Sequence, residues 1–257
     1  MKPTVECPIR VRGLELGGAQ PLFCVPLVGG DIAELTEQAE IARELNSELV
    51  EWRADFFKDL TPEALAHAAC ALRQTAGEQA IILTLRAGSE GGAADIPQAD
   101  RRHLIEAVLR AGAVDIVDLE LAGEPEFLDP LMALARERGI RVILAFHDFE
   151  GTPASDVLLD KVEAMRARGA DMAKLAVMPR TPEDVLRFLQ VTAAARSRFR
   201  NLPLAMMSMG PLGSITRLAG FLYGSDMAFA VAKESSAPGQ MPLEDARRIT
   251  AMLLRYS

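Results

Sequence analysis

The chain has 257 residues, of which 49% are hydrophobic and 25% charged, with a formal net charge of −8; this is enough apolar material for a full core and excludes a largely disordered chain. The acidic balance argues against a general attraction to nucleic acid or an anionic membrane surface, so any anionic ligand must be held by a local cluster of arginines. No uncharged apolar run is long enough for a membrane span and no apolar signal-peptide core opens the chain. Cys7, Cys24 and Cys70 are odd in number and lack metal-ligand spacing, so the expectation is a cytoplasmic protein with reduced thiols.

From the N-terminus, residues 4–16 alternate weakly (Val5, Ile9, Val11, Leu14, Leu16) and predict a hairpin. From about residue 21, apolar β-rich runs alternate with amphipathic helical stretches. Strands are expected at 22–28, 48–53, 80–86, 114–121, 141–147, 171–177, 203–209 and 226–232. Thr61-Pro62-Glu63 and Thr181-Pro182-Glu183-Asp184 are good helix starts, with a hydroxyl cap, proline in the first turn and acids at the positive helix end. Gly139 and Gly169 stand where a helix stops and the next strand begins.

Strands returned by crossover helices make a parallel sheet, and eight such units close a (β/α)8 barrel in the TIM class, with the hairpin (1–20) plugging its bottom and the barrel filling 21–257 as a single domain. A doubly wound open sheet would want a glycine-rich dinucleotide turn after its first strand, and Val28-Gly29-Gly30-Asp31 does not supply that spacing.

In such a barrel the active site lies at the C-terminal strand ends. In chain order these carry Glu51 and Arg53, then Arg86 with Glu90 in the loop behind it, then Asp118 and Glu120 on one strand face. His147 ends the fifth strand, Lys174 sits inside the sixth, and Arg217 follows the seventh. The eighth leads into the turn-rich stretch 234–240, which is long enough to be a lid. Lys174 is a single lysine in the apolar segment 172–178. Burial without a counter-charge would lower its pKa and free a nucleophilic amine; the alternative is a structural ion pair with Asp118 or Glu120. Lys233 is a rival nucleophile at the end of the eighth strand, read as a solvated or paired residue. His147 reads either as a proton carrier near its ordinary pKa or as a hydrogen-bonded core histidine. Arg53, Arg86 and Arg217 at one mouth suggest a bound carboxylate or polyol, although each alone is usually a salt-bridge partner. Met206 to Met209 read as core, with Met207 and Met209 facing one side and able to wall a pocket.

The motifs Glu51-Trp52-Arg53-Ala54-Asp55, Arg86-x-x-x-Glu90-Gly91-Gly92, Asp118-Leu119-Glu120-Leu121, His147-Asp148-Phe149 and Lys174-x-Ala176-x-Met178-Pro179 resemble those of type I 3-dehydroquinate dehydratases. So do Met207-Ser208-Met209, the run 214–220 and Ser236-Ala237-Pro238-Gly239-Gln240, all in that family's order from residue 21 to about 245. The resemblance implies syn dehydration of 3-dehydroquinate to 3-dehydroshikimate in the shikimate pathway, by a homodimer with neither metal nor organic cofactor. It implies that Lys174 forms an imine with the ring ketone and that His147 moves the adjacent proton. Asp118 would orient His147, and Glu90 would assist imine formation or hydrolysis. Arg217 would hold the substrate carboxylate, with Glu51, Trp52, Arg53, Arg86, Ser236 and Gln240 on the ring's polar groups and Met207 and Phe229 packing on the ring. Pro26 stands where many relatives carry serine, and Gly210-Pro211-Leu212-Gly213 replaces a more polar loop. The competing readings are an aldolase- or transaldolase-like Schiff-base barrel and a non-catalytic barrel that binds a metabolite.

Overall fold

Each strand of the main sheet sends alternate side chains to opposite faces, and this splits the apolar residues into two cores. The computed structural model, which describes residues 2–232 and 237–256, puts Leu22, Cys24, Leu49, Ile82, Ile116 and Met172 inside the sheet's curve. Their chain neighbours Phe23, Val25, Val50, Ile81, Val117 and Ala173 face outward and pack under the helices.

The hairpin comprises β1 (Ile9–Val11) and β2 (Leu14–Leu16), paired antiparallel. Then β3 (Leu22–Leu27), α1 (Ile32–Glu44), β4 (Leu49–Arg53), α2 (Pro62–Ala76), β5 (Ala80–Thr84) and α3 (Gln98–Ala111) follow in strict alternation. The same rhythm continues through β6 (Ile116–Glu120), α4 (Pro125–Glu137), β7 (Arg141–Asp148), α5 (Ser155–Ala167), β8 (Met172–Val177) and α6 (Pro182–Arg198). It finishes with β9 (Leu204–Ser208), α7 (Gly210–Ala219), β10 (Met227–Phe229) and α8 (Leu243–Arg255). β3 to β9 pair in sequence order, all parallel, and β10 joins at the far side of β3. The result is the expected (β/α)8 barrel, nearly closed.

Side chains finish the seam between β9 and β10. Asp226 N donates to Leu204 O at 2.6 Å, while Leu204 N donates to Asp226 Oδ2 at 2.8 Å and Met206 N to Ser225 Oγ at 3.0 Å. Asp226 is itself held by buried Lys2, at 2.6 Å, and by Arg196. Val11 and Leu16 of the hairpin belong to the inner core, with Ile9 and Leu14 packed on it, so the hairpin forms the barrel's floor.

The helix starts behave as their sequences require. Thr61 caps α2 through Ala64 N, and Thr181 with Asp184 forms a reciprocal capping box at α6. Gly139 and Gly169 adopt φ of +69° and +83°, the left-handed conformation that ends a helix. Several expectations change, and the strand expected at 114–121 contracts to Ile116–Glu120. The strand expected at 80–86 stops at Thr84, and that expected at 226–232 shortens to Met227–Phe229. The stretch 210–213 is the first turn of α7, because Pro211 is preset for a helix start and Gly213 lies against the backbone of Ser208 where a side chain would collide. Pro26 stays inside β3, in register with Glu51. Among the described residues, no helix is long and apolar enough to cross a membrane.

Candidate active site

Alternation along β4 determines what it contributes to the mouth. Glu51 and Arg53 face the cleft at the strands' C-terminal ends, about 440 Å³ of space with the open solvent at its mouth included. Trp52 between them faces the other way: it is fully buried in the outer core and meets Phe57 edge to face at 6.0 Å. The expected contact of Trp52 with substrate is therefore corrected, since period two forbids adjacent residues from sharing a face. Arg53 is gripped by Asp55, with Nε to Oδ1 at 2.9 Å and Nη2 to Oδ2 at 2.7 Å, and also donates to Gly91 O at 3.2 Å.

Lys174 is buried on β8, but not without counter-charge. Its ammonium donates to Asp118 Oδ2 at 2.7 Å and to Glu51 Oε1 at 3.1 Å, and lies 4.5 Å from the centre of the Phe229 ring. Thr84 donates to the same Glu51 oxygen at 2.9 Å. Burial by itself would raise the Asp118 pKa, but Arg86 and Lys174 outweigh it and hold that carboxyl below the usual range. Arg86 bridges Asp118 at 2.9 Å and Glu120 at 3.1 Å. Burial opposes its charge, yet those carboxylates, with Glu51 and Glu90, raise its pKa above the ordinary value.

His147 does not meet Asp118 as expected. Its partner is Glu90, whose Oε2 lies 2.9 Å from the ring Nδ1 and 2.9 Å from the backbone N of His147. The acid bonded to the histidine is thus Glu90, while Asp118 pairs with the lysine, as one of the two readings of Lys174 expected. A short 3-10 turn, Gly88–Glu90, causes this by carrying Glu90 across to β7. Burial, then the charges of Arg86, Lys174 and Arg53, push the His147 pKa well below its usual value. Burial also pushes Glu90 up, to about 7, against the opposing pull of Arg86.

Arg217, on α7, is buried with no carboxylate partner among the described residues. Its Nη2 reaches Pro238 O at 3.4 Å, its Nη1 lies 3.5 Å from Met207 Sδ, and its Nε has no hydrogen-bond partner. Burial lowers its pKa to about 10. Met207, Met209, Phe229 and Gln240 line the cleft with it. Ser236 and Lys233 lie outside the described residues, as do residues 234–236 of the expected lid; its remaining part, Ala237 to Gln240, packs on the start of α7 through Pro238 O and Gly210 N at 3.1 Å. Phe149 at the rim, over Gly91, was not singled out from sequence. Its position two residues beyond His147, on the same face, was the available signal.

The family model for Type I 3-dehydroquinase matches residues 23–256. The chain is 44% identical over 252 residues to the 3-dehydroquinate dehydratase of Geobacillus kaustophilus, covering 97% of each chain. It is 41% identical to that of Aromatoleum aromaticum, covering 96% of each. The crystal structure of the G. kaustophilus 3-dehydroquinate dehydratase is similar with a TM-score of 0.95 at 43% identity, covering 100% of both chains. That of the type I enzyme of Clostridium difficile, with covalently modified comenic acid, has a TM-score of 0.94 at 29% identity, covering 97% of this chain and 99% of that one.

Proposed function

The chain belongs to the type I 3-dehydroquinase family and acts as a hydro-lyase on 3-dehydroquinate in the shikimate pathway, and we propose that it does so through an imine on Lys174. The observation that carries this reading is the placement of one buried amine and one proton-accepting imidazole in the same cleft, opposite an arginine without a carboxylate partner among the described residues.

The substrate's carboxylate pairs with Arg217, which brings the ring ketone to Lys174. Glu51, 3.1 Å away, accepts a proton from the ammonium, and the free amine attacks the carbonyl carbon. Loss of the carbonyl oxygen as water leaves a protonated imine. That cation draws electrons from the adjacent carbon, so His147 can remove its proton and the electron pair moves into an enamine. The enamine then expels the neighbouring hydroxyl, to which the same imidazole returns the proton, which accounts for syn loss of water. Hydrolysis of the imine consumes one water, releases 3-dehydroshikimate and regenerates Lys174. The net change is the loss of one water molecule, and no metal or organic cofactor takes part in this scheme. Glu90 accepts the Nδ1 hydrogen of His147, so that Nε2 carries the lone pair that works as base. Arg53, Arg86, Gln240 and Ser236 hold the ring's polar groups, while Met207 and Phe229 cover its apolar face. The aldolase-like and non-catalytic readings have no comparable support.

The same reading extends to a cytoplasmic homodimer of one catalytic domain, with residues 1–20 as the hairpin and 21–257 as the barrel. Free thiols at Cys7, Cys24 and Cys70 support a reducing compartment. Light scattering reads the dimer. The imine is tested by incubating the protein with 3-dehydroquinate and borohydride and mapping the modified peptide: an adduct on Lys174 is expected, and turnover with no adduct there would overturn the mechanism.

A further inference from the structure

Arg101 belongs to α3, in the helical layer outside the barrel, yet its guanidinium is buried and points at the strand ends. Its Nε donates to Leu85 O at 3.2 Å, its Nη2 meets Glu120 Oε2, and it lies 5.0 Å from the centre of the Phe127 ring. The other oxygen of Glu120 accepts from Ala87 N at 2.9 Å and from Arg86 Nη1 at 3.1 Å. Arg86 Nη2 then contacts Asp118 Oδ1 at 2.9 Å, Asp118 Oδ2 accepts from Lys174 at 2.7 Å, and Lys174 reaches Glu51 at 3.1 Å. The six buried groups alternate in sign from the helix layer to the reacting amine, and their charges cancel.

We propose that Arg101 is a positioning residue for the dehydration, acting through Glu120, Arg86 and Asp118 to set the charge balance at Lys174 without touching substrate. The inference rests on Lys174 being the reacting amine. With Arg101 in place, Arg86 is shared between Glu120 and Asp118. Without it, the charge of Glu120 falls on Arg86 alone and draws that guanidinium away from Asp118. Asp118 then faces Lys174 with less compensation, so that passing the ammonium's proton to Glu51 is disfavoured. The buried setting lets such a change travel further than it would in water.

The other charged groups near Lys174 are fixed by different partners. Glu51 approaches from β4 and Cys24 from β3, both on the inner face, and His147 approaches from β7 on its Glu90 partner. Arg53 is held by Asp55, and Arg217 stands across the cleft on α7. Of these neighbours and Arg86, only Arg86 bonds Glu120 among the described residues.

The test follows kcat/KM and the rate of borohydride-trapped adduct across pH in folded wild type, Arg101→Met, Glu120→Gln and the double variant. Arg101→Met is expected to displace both curves to higher pH, on the order of half a unit. Glu120→Gln, which leaves one positive charge in excess, should displace them to lower pH, and the double variant should return close to wild type. Arg101→Lys keeps the charge and should follow the wild-type curve. Arg196→Met removes another buried guanidinium, paired with Asp226 at the opposite end of the barrel; it should lower thermal stability and leave the curves in place. An unshifted Arg101→Met overturns the proposal, as does an equal shift in Arg196→Met. If Arg101→Met does not fold, an unshifted Glu120→Gln overturns it. Absence of adduct in wild type would instead remove the imine reading, and the kcat/KM curves would still report on Arg101.

Discussion

One oxygen of Glu90 lies 2.9 Å from both the backbone nitrogen and the ring Nδ1 of His147. A single acceptor therefore fixes where the imidazole sits and which of its nitrogens carries hydrogen. Because burial pushes Glu90 up to about 7 and His147 well down, the pair takes up its next proton near neutrality. That proton removes the Nε2 lone pair whichever partner is written as its owner: protonated Glu90 donates back to Nδ1, and protonated His147 carries hydrogen on both nitrogens. The kcat/KM profile is expected to fall as pH drops through about 7. Glu90→Gln should abolish that acid limb and lower kcat about a hundredfold, within the range for general base catalysis. The sign for stability is the reverse: a carboxyl raised by burial costs stability as pH climbs above its unfolded value of about 4.3. Glu90→Gln should therefore be no less stable than wild type above pH 7 in a urea titration. A profile unchanged in shape would refute the assignment.

Lys174→Ala is expected to lose turnover and adduct together. It also strips a counter-charge from two buried carboxylates, so it should fold with a loss of about 3 kcal/mol. Asp118, held low in the native state, contributes stability above the ordinary carboxylate pKa that is lost as pH falls. Removing Lys174 shrinks that contribution, and the gap between variant and wild type in denaturant titrations should narrow toward low pH.

Arg217→Met should raise KM by about a hundredfold, the value of a charge-assisted double hydrogen bond to a carboxylate. The same substitution should stabilise the free protein. Lowering the guanidinium pKa from 12.5 to about 10 corresponds to a burial cost on the order of 3 kcal/mol, which methionine does not incur. Calorimetry showing a lower Tm would contradict this account of an arginine kept for ligand.

Trp52→Phe should leave kcat and KM within about twofold of wild type, since the ring faces the helices. It should cost about 2 kcal/mol of stability through the space it leaves beside Phe57. A large rise in KM would return Trp52 to the cleft.

The barrel frame was legible because strand and helix periods differ and the caps at Thr61 and Thr181 are local. Lys174 and His147 stood out because such residues are rare in an otherwise apolar strand, and Arg217 through the run 214–220 that resembles the family. The identity of each acid's partner was not legible. Glu90 reaches His147 only through the turn at Gly88–Glu90, and no rule of spacing says that Asp118 prefers a lysine on β8 to a histidine on β7. Of the counter-charges on Lys174, Asp118 was one of the two partners the sequence offered, whereas Glu51, 123 residues away, was hidden. Trp52 is the opposite case: alternation with Glu51 and Arg53 already turned it outward, and the motif it belongs to masked that. Arg101, on a helix, gave no sign of turning toward the strands.

The hairpin under the barrel has a consequence for traffic. Ile9, Val11, Leu14 and Leu16 pack on the inner core below Lys174 and, among the described residues, floor the barrel. Substrate, product and the released water are therefore expected to pass through the cleft at the strands' C-terminal ends, the expelled hydroxyl leaving as water past the same ring it came from. A floor of that kind sends traffic upward and imposes an order on departures from the cleft above it.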